Sequence, residues 1–392
     1  MAPPVGRAVF LRRRVVVGLA TLGLVGAAVA IVHGAGGDGD GPAVPRHAQA
    51  YEAPAPPRQQ ARPTAVYAHT GVGQFVPATR GVPYRLYVPE SAGRGVDVVD
   101  PVGLKVIGHY DTGLDPQHVV PSYDLKTLYS TNDLANTLTP FDPRTGQPSG
   151  PSIPVDDPYN MYFVPGGAQA VVVAEQKQAL EFYDAHSFAP AGTVHVDCAG
   201  VDHADFAADG SFLIASCEFA HRLLKLNLAT RAVSYLDLPG ASPQDVRISP
   251  DGATFYVADK DLGGVHLIDA ARFVQTGFLP TGRDAHGVYP SRDARRLFVS
   301  NRGSGTISVL DPVRRAVVAT WGLPGGGSPD MGGVSPDGTA LWLSGRYDAR
   351  IYEISTVDGH LIAQMPIPLK PHGMCVWPQP GRYSLGHTGN MR

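Results

Sequence analysis

Residues 297–311 read LFVSNRGSGTISVLD. A short run of β-formers, Leu297 to Asn301, meets a Gly-Ser-Gly turn. Beyond it Thr306 to Asp311 alternates apolar and polar residues, so the stretch reads as two strands of a hairpin. The hairpin is one copy of a pattern. The Asp or Asn that ends its second strand recurs at Asp100, Asp142, Asp184, Asn227, Asp269 and Asp311, and as Ser at Ser355, with gaps of 42, 42, 43, 42, 42 and 44. A second column, His118, Asn160, His203, Asp245, Gly287, Met331 and Gly373, keeps step with gaps of 42, 43, 42, 42, 44 and 42. A fixed period of 40 to 45 residues made of strands implies an all-β propeller.

One unit can be spelled out from residues 242–280. Val246 to Ile248 is a short inner strand, and Ser249-Pro250-Asp251-Gly252 is a turn in which Pro presets φ and Gly takes a positive one. Phe255 to Asp259, Val265 to Asp269 and Phe273 to Leu279 supply three more strands. Ser335-Pro336-Asp337-Gly338 repeats the turn and Leu128-Tyr129-Ser130-Thr131-Asn132 repeats the second strand. On these residues the chain resembles the YVTN-repeat propeller family, of the exported YncE-like and lactonase-like kind, over residues from about 84 to 387. Ala174 and Cys217, where the family favours Asn, and Val164-Pro165-Gly166-Gly167 in place of the Pro-Asp-Gly turn depart from its pattern.

Each column has seven members. The chain enters at a second strand, Leu86-Tyr87-Val88, and supplies its last inner strand near Gly373. Seven four-stranded antiparallel blades follow, the C-terminal inner strand joining the N-terminal three and so removing free sheet edges. The domain division is residues 66–382 for the propeller and 383–392 for a tail with no blade of its own, expected to lie over one face and to fray.

The N-terminus reads as a targeting segment. Arg12, Arg13 and Arg14 precede an uncharged run, Val15 to Val32, of 18 residues. Residues 1–33 are therefore a signal peptide or one hydrophobic membrane-anchoring helix, with Ala28-Val29-Ala30 as a cleavage site. Residues 34–65 are a disordered linker rich in Gly, Ala and Pro. The expected location is extracellular or on the outer face of the cytoplasmic membrane. Without residues 1–33 the charges become 28 basic against 35 acidic, or −7 from −3. That excludes the basic surface a nucleic-acid binder needs. A propeller buries its own edges, so a monomer is expected.

Propeller geometry brings the openings of all inner strands to one rim of the central channel. The ligand-binding candidates there are His118, Asn160, Asp202, His203, Asp245, His286, Asp330 and His372, joined by Arg302 and Arg346 from the second strands. Four imidazoles in so narrow a band suit copper, zinc or iron, which makes His118, His203, His286 and His372 a candidate metal set. His118 and His203 sit one position off from His286 and His372, an offset that on a regular strand turns a side chain to the other face. The family spelling Pro371-His372-Gly373 also allows a plain structural role, in which His bonds a backbone carbonyl. A second chemistry is anion binding by Arg302 and Arg346, with His286 or His203 as general base oriented by Asp205 or Asp245. Three functions follow: binding of a small molecule or an envelope protein at the funnel, a metal-dependent oxidoreductase, or a lactonase of the kind the resemblance includes.

Cys198 and Cys217 fall on one rim of one blade. In an exported chain they are expected to form a disulfide, with a metal pair involving His203 as the alternative. Cys375, mid-strand, is expected to be a buried thiol. His387, if the tail folds inward, would add a fifth imidazole.

Overall fold

A computed structural model describes residues 66–392 except Leu369. The expected signal or anchor (1–33) and linker (34–65) lie outside the described residues. Among the described residues no helix is long and apolar enough to cross a membrane.

Seven antiparallel sheets form the body of the protein. Blade 1 is built from Arg85–Pro89, Gly95–Asp100 and Lys105–Asp111, and its innermost strand is Cys375–Trp377. Arg85 pairs with Trp377, Leu86 with Val376 and Tyr87 with Cys375. The ring closes as the repeat count requires, by the chain's end joining its beginning. Blade 2 runs from Pro116–Pro121 through Leu128–Asn132 and Thr137–Asp142 to an outer edge split into Gln147–Pro148 and Ile153–Pro154. Blades 3 to 7 open with the inner strands Pro158–Phe163, Val201–Phe206, Pro243–Ile248, Ala285–Pro290 and Pro329–Val334.

Burial falls from hub to periphery. All six residues of the inner strand Pro243–Ile248 are buried, whereas the outer strand Lys105–Asp111 is mostly exposed. The apolar core lies between blades. One cluster joins Tyr162, Val171 and Phe182 of blade 3 to Phe206, Leu213 and Leu224 of blade 4. The disulfide Cys198–Cys217 forms inside that cluster, and Cys375 is a buried free thiol.

Both repeat signatures have a physical job. The Asp that ends each third strand caps the turn to the fourth: Asp269 Oδ1 accepts the N–H of Arg272 at 2.8 Å, and Asp142 Oδ1 that of Arg144 at 2.8 Å. In the Ser-Pro-Asp-Gly turn Ser249 Oγ donates to Asp251 Oδ1 at 2.6 Å, and Gly252 takes φ +74°. The variant turn at Val164–Gly167 has its own reason. Gly167 (φ +73°) lies on the Tyr123 ring, where a Cβ would come within 2.4 Å of it.

The tail corrects the sequence reading. Residues 384–392 are buried, not frayed. After Trp377 the chain turns back into the mouth of the channel opposite the rim. Phe163 N–H donates to Leu385 O at 3.0 Å, Thr388 Oγ1 donates to Gly332 O, and Asn390 Nδ2 donates to Ala204 O at 3.3 Å. Arg392 reaches Asp205, and its guanidinium lies 5.3 Å over the Tyr67 ring. Tyr67 belongs to the segment before blade 1 and donates its hydroxyl to Ile248 O at 2.8 Å. Termini fray when nothing holds them; this one carries polar groups that the channel wall lacks.

Asp205 is fully buried and Arg392 is one of its two cationic neighbours. Arg392→Ala should therefore cost about 3–5 kcal/mol in a urea melt, the scale for orphaning one half of a buried pair. Arg382→Ala, on an exposed residue, is expected to leave the midpoint unchanged.

Candidate functional site

The offset between the two pairs of histidines is absorbed by the strands themselves. Pairing between first and second strands slips between Pro116 and His118, Val201 and Ala204, Ala285 and Val288, and Pro329 and Gly332. Such a bulge adds a residue and re-aims side chains, so Asp202 and His203 both meet the channel. A hydroxyl fills each gap. Thr131 accepts the N–H of His118 at 3.1 Å, Ser216 that of His203 at 3.0 Å, Ser300 that of Gly287 at 2.8 Å and Ser344 that of Met331 at 3.2 Å. Three of these hydroxyls also tie to the next inner strand: Thr131 donates to Tyr159 O, Ser300 to Asp330 O and Ser344 to His372 O. Sequence reasoning missed this column, although its members keep the same period.

The four candidate imidazoles form a closed circuit. Ring centroids are 5.2 Å apart for His118–His203, 5.4 Å for His203–His286, 5.6 Å for His286–His372 and 4.9 Å for His372–His118. None of the four is more than 1% exposed. His387 enters from the tail, its ring 5.9 Å from His203 and 6.2 Å from His118. It is the fifth imidazole, but its Nε2 is already engaged, 3.2 Å from both Asp245 Oδ1 and Arg247 Nη2.

Carboxylates stand behind the ring. Asp330 Oδ2 is 2.7 Å from His372 Nδ1, and its Oδ1 is 3.1 Å from His286 Nδ1. Asp202 Oδ1 is 2.7 Å from His203 Nδ1. The last two contacts are close but off the line of a hydrogen bond, and neither nitrogen of His118 or His203 has a hydrogen-bond partner among the described residues. Asp202 and Asp330 thus hold the positions that the sequence reading gave to Asp205 and Asp245. Those two brace neighbouring blades instead: Asp205 accepts the N–H of Ile248 at 3.0 Å and Asp245 that of Val288 at 2.9 Å. Asn160 is likewise structural, donating to the Tyr162 hydroxyl at 3.0 Å.

The rim arginines are also committed. Arg302 reaches Asp284 at 2.8 Å and Asp330 at 3.2 Å, and Arg346 lies 3.8 Å from Asp330. Each Asp330 oxygen therefore faces one imidazole and one guanidinium, Oδ1 with His286 and Arg302 and Oδ2 with His372 and Arg346. An anion clamp would have to break these pairs.

Burial, reinforced by the neighbouring His372 and His203, drives His118 well below its usual 6.5, and burial together with Arg302 does the same to His286. Both rings are neutral at pH 7, the form that binds a metal. Burial opposes protonation of His203 most strongly of any one influence, but Asp202, helped by Asp245 and Asp330, outweighs it and raises that ring. Asp245, despite its burial, is held well below the carboxylate range by Arg247 and His387. The nitrogens do not all converge. Among the described residues the one group of three whose ligand atoms lie within 4.8 Å of one another is elsewhere, at Glu90, Asp97 and His109. A metal at the hub requires rotation of the rings about χ2, since metal–nitrogen bonds are ~2.0–2.1 Å.

The fold and its hub define a seven-bladed propeller with a histidine-lined, tail-plugged channel. A family match over residues 63–381 goes further: the chain belongs to the YncE-like β-propeller family. Among solved structures it is similar to hydrazine synthase of Kuenenia stuttgartiensis, with a TM-score of 0.59 and 18% identity over 72% of this chain and 99% of that one. It is similar to the periplasmic gluconolactonase of Pseudomonas aeruginosa, with a TM-score of 0.62 and 18% identity over 76% and 99%. A third likeness is the dihydro-heme d1 dehydrogenase NirN, with a TM-score of 0.55 and 16% identity over 79% and 71%. At these identities the likeness is one of fold. No curated protein sequence matches the chain.

The hub makes stability depend on pH. For His118 and His286 the folded value lies below the unfolded one. The unfolded chain takes the proton first as pH falls, so stability is full above about 6.5 and declines below it, by up to ~1.4 kcal/mol per pH unit for each ring. His203 has the opposite sign: its gain is present below 6.5 and is lost as pH rises through its raised value. Urea melts of EDTA-treated protein from pH 7 to 5 should show a shallower loss in His118→Gln and a steeper one in His203→Gln. Identical slopes in both variants and the parent would contradict the assignment.

Proposed function

We propose that this is an exported propeller whose hub binds a transition-metal ion of the copper or zinc kind through His118, His203, His286 and His372. The observation that carries the reading is the closed circuit of four buried imidazoles, several of whose nitrogens have no partner. Leaving a buried nitrogen unpaired costs ~1–3 kcal/mol, and here the cost recurs around one point. Neutral imidazoles are ligands of choice for copper and zinc. A ligating imidazole usually offers its other nitrogen to a carboxylate, and Asp330 and Asp202 stand at Nδ1 of three of the four rings. Asp330, and through it Arg302 and Arg346, would position His286 and His372 rather than touch the ion.

Export rests on the arginine-led apolar N-terminus and on the disulfide, which an oxidising compartment favours. The gluconolactonase likeness brings a lactonase reading with it, but the anion-binding arginines that reading needs are tied to Asp284 and Asp330. A metal-dependent oxidoreductase remains compatible with a hub ion.

The test is metal analysis of the full chain after exposure to Cu²⁺ or Zn²⁺ and gel filtration. Tight binding that disappears when His118, His203, His286 and His372 are all replaced by Ala supports the reading. Asp330→Asn should weaken that binding about 10–100-fold while the fold persists. If Asp330→Asn and the quadruple variant hold the same metal as the parent, the hub reading fails.

A further inference from the structure

Blade 1 differs from blades 2, 5 and 6 in the residues that bridge its second and third strands, and those three blades show what can stand there. In blade 2 the second strand ends in Asn132, whose Nδ2 donates to Thr139 Oγ1 at 2.9 Å and Thr137 Oγ1 at 3.1 Å on the third strand. Blade 6 repeats this: Asn301 Nδ2 donates to Ser308 Oγ and Thr306 Oγ1, both at 3.1 Å. Blade 5 uses a balanced ionic version, Asp259 Oδ2 to His266 Nε2 at 2.9 Å. The equivalent residues of blade 1, 42 positions before those of blade 2, are Glu90, Gly95 and Asp97. A neutral amide–hydroxyl bridge has been replaced by two carboxylates.

Both are buried, Glu90 at 2% and Asp97 at 4% exposure. The Glu90 carboxyl bonds to Asp97, one acid to another. Burial and the adjoining Asp97 push it up to about 7. A glycine makes room, as Gly264 does at the same place in blade 5. At Gly95 a Cβ would come within 2.7 Å of the His109 ring. His109 stands opposite Asp97 on the outer strand, and its Nδ1 lies 2.8 Å from Asp97 Oδ1. One ligand atom each from Glu90, Asp97 and His109 lies within 4.8 Å of the others. A cleft of about 610 Å³, bounded also by Arg94, Asp111 and Pro368, opens onto them. Arg94 does not neutralise the pair, because its Nε is 3.2 Å from Asp111.

We propose that Glu90, Asp97 and His109 form a second metal site, for a divalent cation of the zinc or manganese kind, independent of the hub. Two acids side by side in a buried place cannot both ionise without added positive charge, and His109 stands against only one of them, Asp97. Blades 2, 5 and 6 solve the same position with neutral or balanced pairs, so packing alone does not call for two acids. Two carboxylates and one imidazole suit a borderline cation. Three protein ligands leave an open coordination position facing the cleft, where water or a ligand oxygen can bind.

The repeat also supplies the control. The double variant Glu90→Asn with Asp97→Thr installs the blade 2 bridge in blade 1 and should fold. Isothermal titration of full-length, EDTA-treated protein with ZnCl₂, and separately with MnCl₂, reads the stoichiometry. The parent should bind one more cation than the double variant, and its melting temperature should rise with Zn²⁺ where the contribution of this site to the variant is absent. His109→Gln, on a half-exposed ring, should weaken the same site at least tenfold. If the hub reading is wrong and this one right, the parent binds one cation and the variant none. Equal stoichiometry and equal thermal response in parent and both variants overturn the proposal.

Discussion

The structure depends on the pairing of Arg85–Tyr87 with Cys375–Trp377. Seven radial sheets enclose a common channel only if the last joins the first, and here the joint is between strands nearly three hundred residues apart in sequence. An open ring would leave two sheet edges exposed and would spoil the convergence of the inner strands. His118 shows the coupling directly. It forms a parallel bridge with Gly373, and a Cβ at Gly373 would lie 2.1 Å from the His118 Nδ1. The first histidine of the hub is seated against the strand that closes the ring.

Closure creates a difficulty as well as a site. The inner strands of blades 3 to 6 place Tyr162, Asp205, Arg247 and Tyr289 toward the channel, all buried. Buried charges need partners. Arg247 reaches Asp245 at 3.0 Å and lies 3.7 Å from Asp205. Two acids to one base leaves the set unbalanced. The tail supplies the missing cation in Arg392 and a further polar partner in His387. Its burial is therefore electrostatic before it is hydrophobic, and the small residues of the segment fit this role. A Cβ at Gly389 would come within 2.5 Å of Arg247 Nη2, and one at Gly386 within 2.4 Å of the Tyr162 ring.

Blade number, closure and the disulfide were legible in the sequence because each depends on period and local pattern. The turn-capping Asp column and the Ser-Pro-Asp-Gly turns act within a few residues of themselves, and such signals survive in one dimension. The identity of the rim residues was legible too, since the repeat fixes which positions converge. What each of them touches was not. Asp245 and Asp202 read alike as rim carboxylates, yet one braces Arg247 and Val288 while the other stands at His203. The distinction comes from bulges whose local geometry decides which way each of two successive side chains turns. The tail was misjudged for a related reason: its partners, Asp205 and Asp245, lie far back in the chain and are buried only once the ring exists.

A repeat protein contains its own internal comparison, and that gives departures a meaning single-copy folds lack. Where Val164–Gly167 replaces the usual turn, the neighbouring Tyr123 ring accounts for it, and no function need be sought. Where Asp245 stands in the histidine column, a bond to the next blade accounts for it. The four hub imidazoles and the Glu90–Asp97 pair differ from these cases. The hub leaves buried imidazole nitrogens without partners, and blade 1 sets two buried acids together where blades 2 and 6 use an amide and a hydroxyl. On the two metal readings proposed above, a cation would supply the compensating interaction in each place, since each donor set is one that a metal cation satisfies.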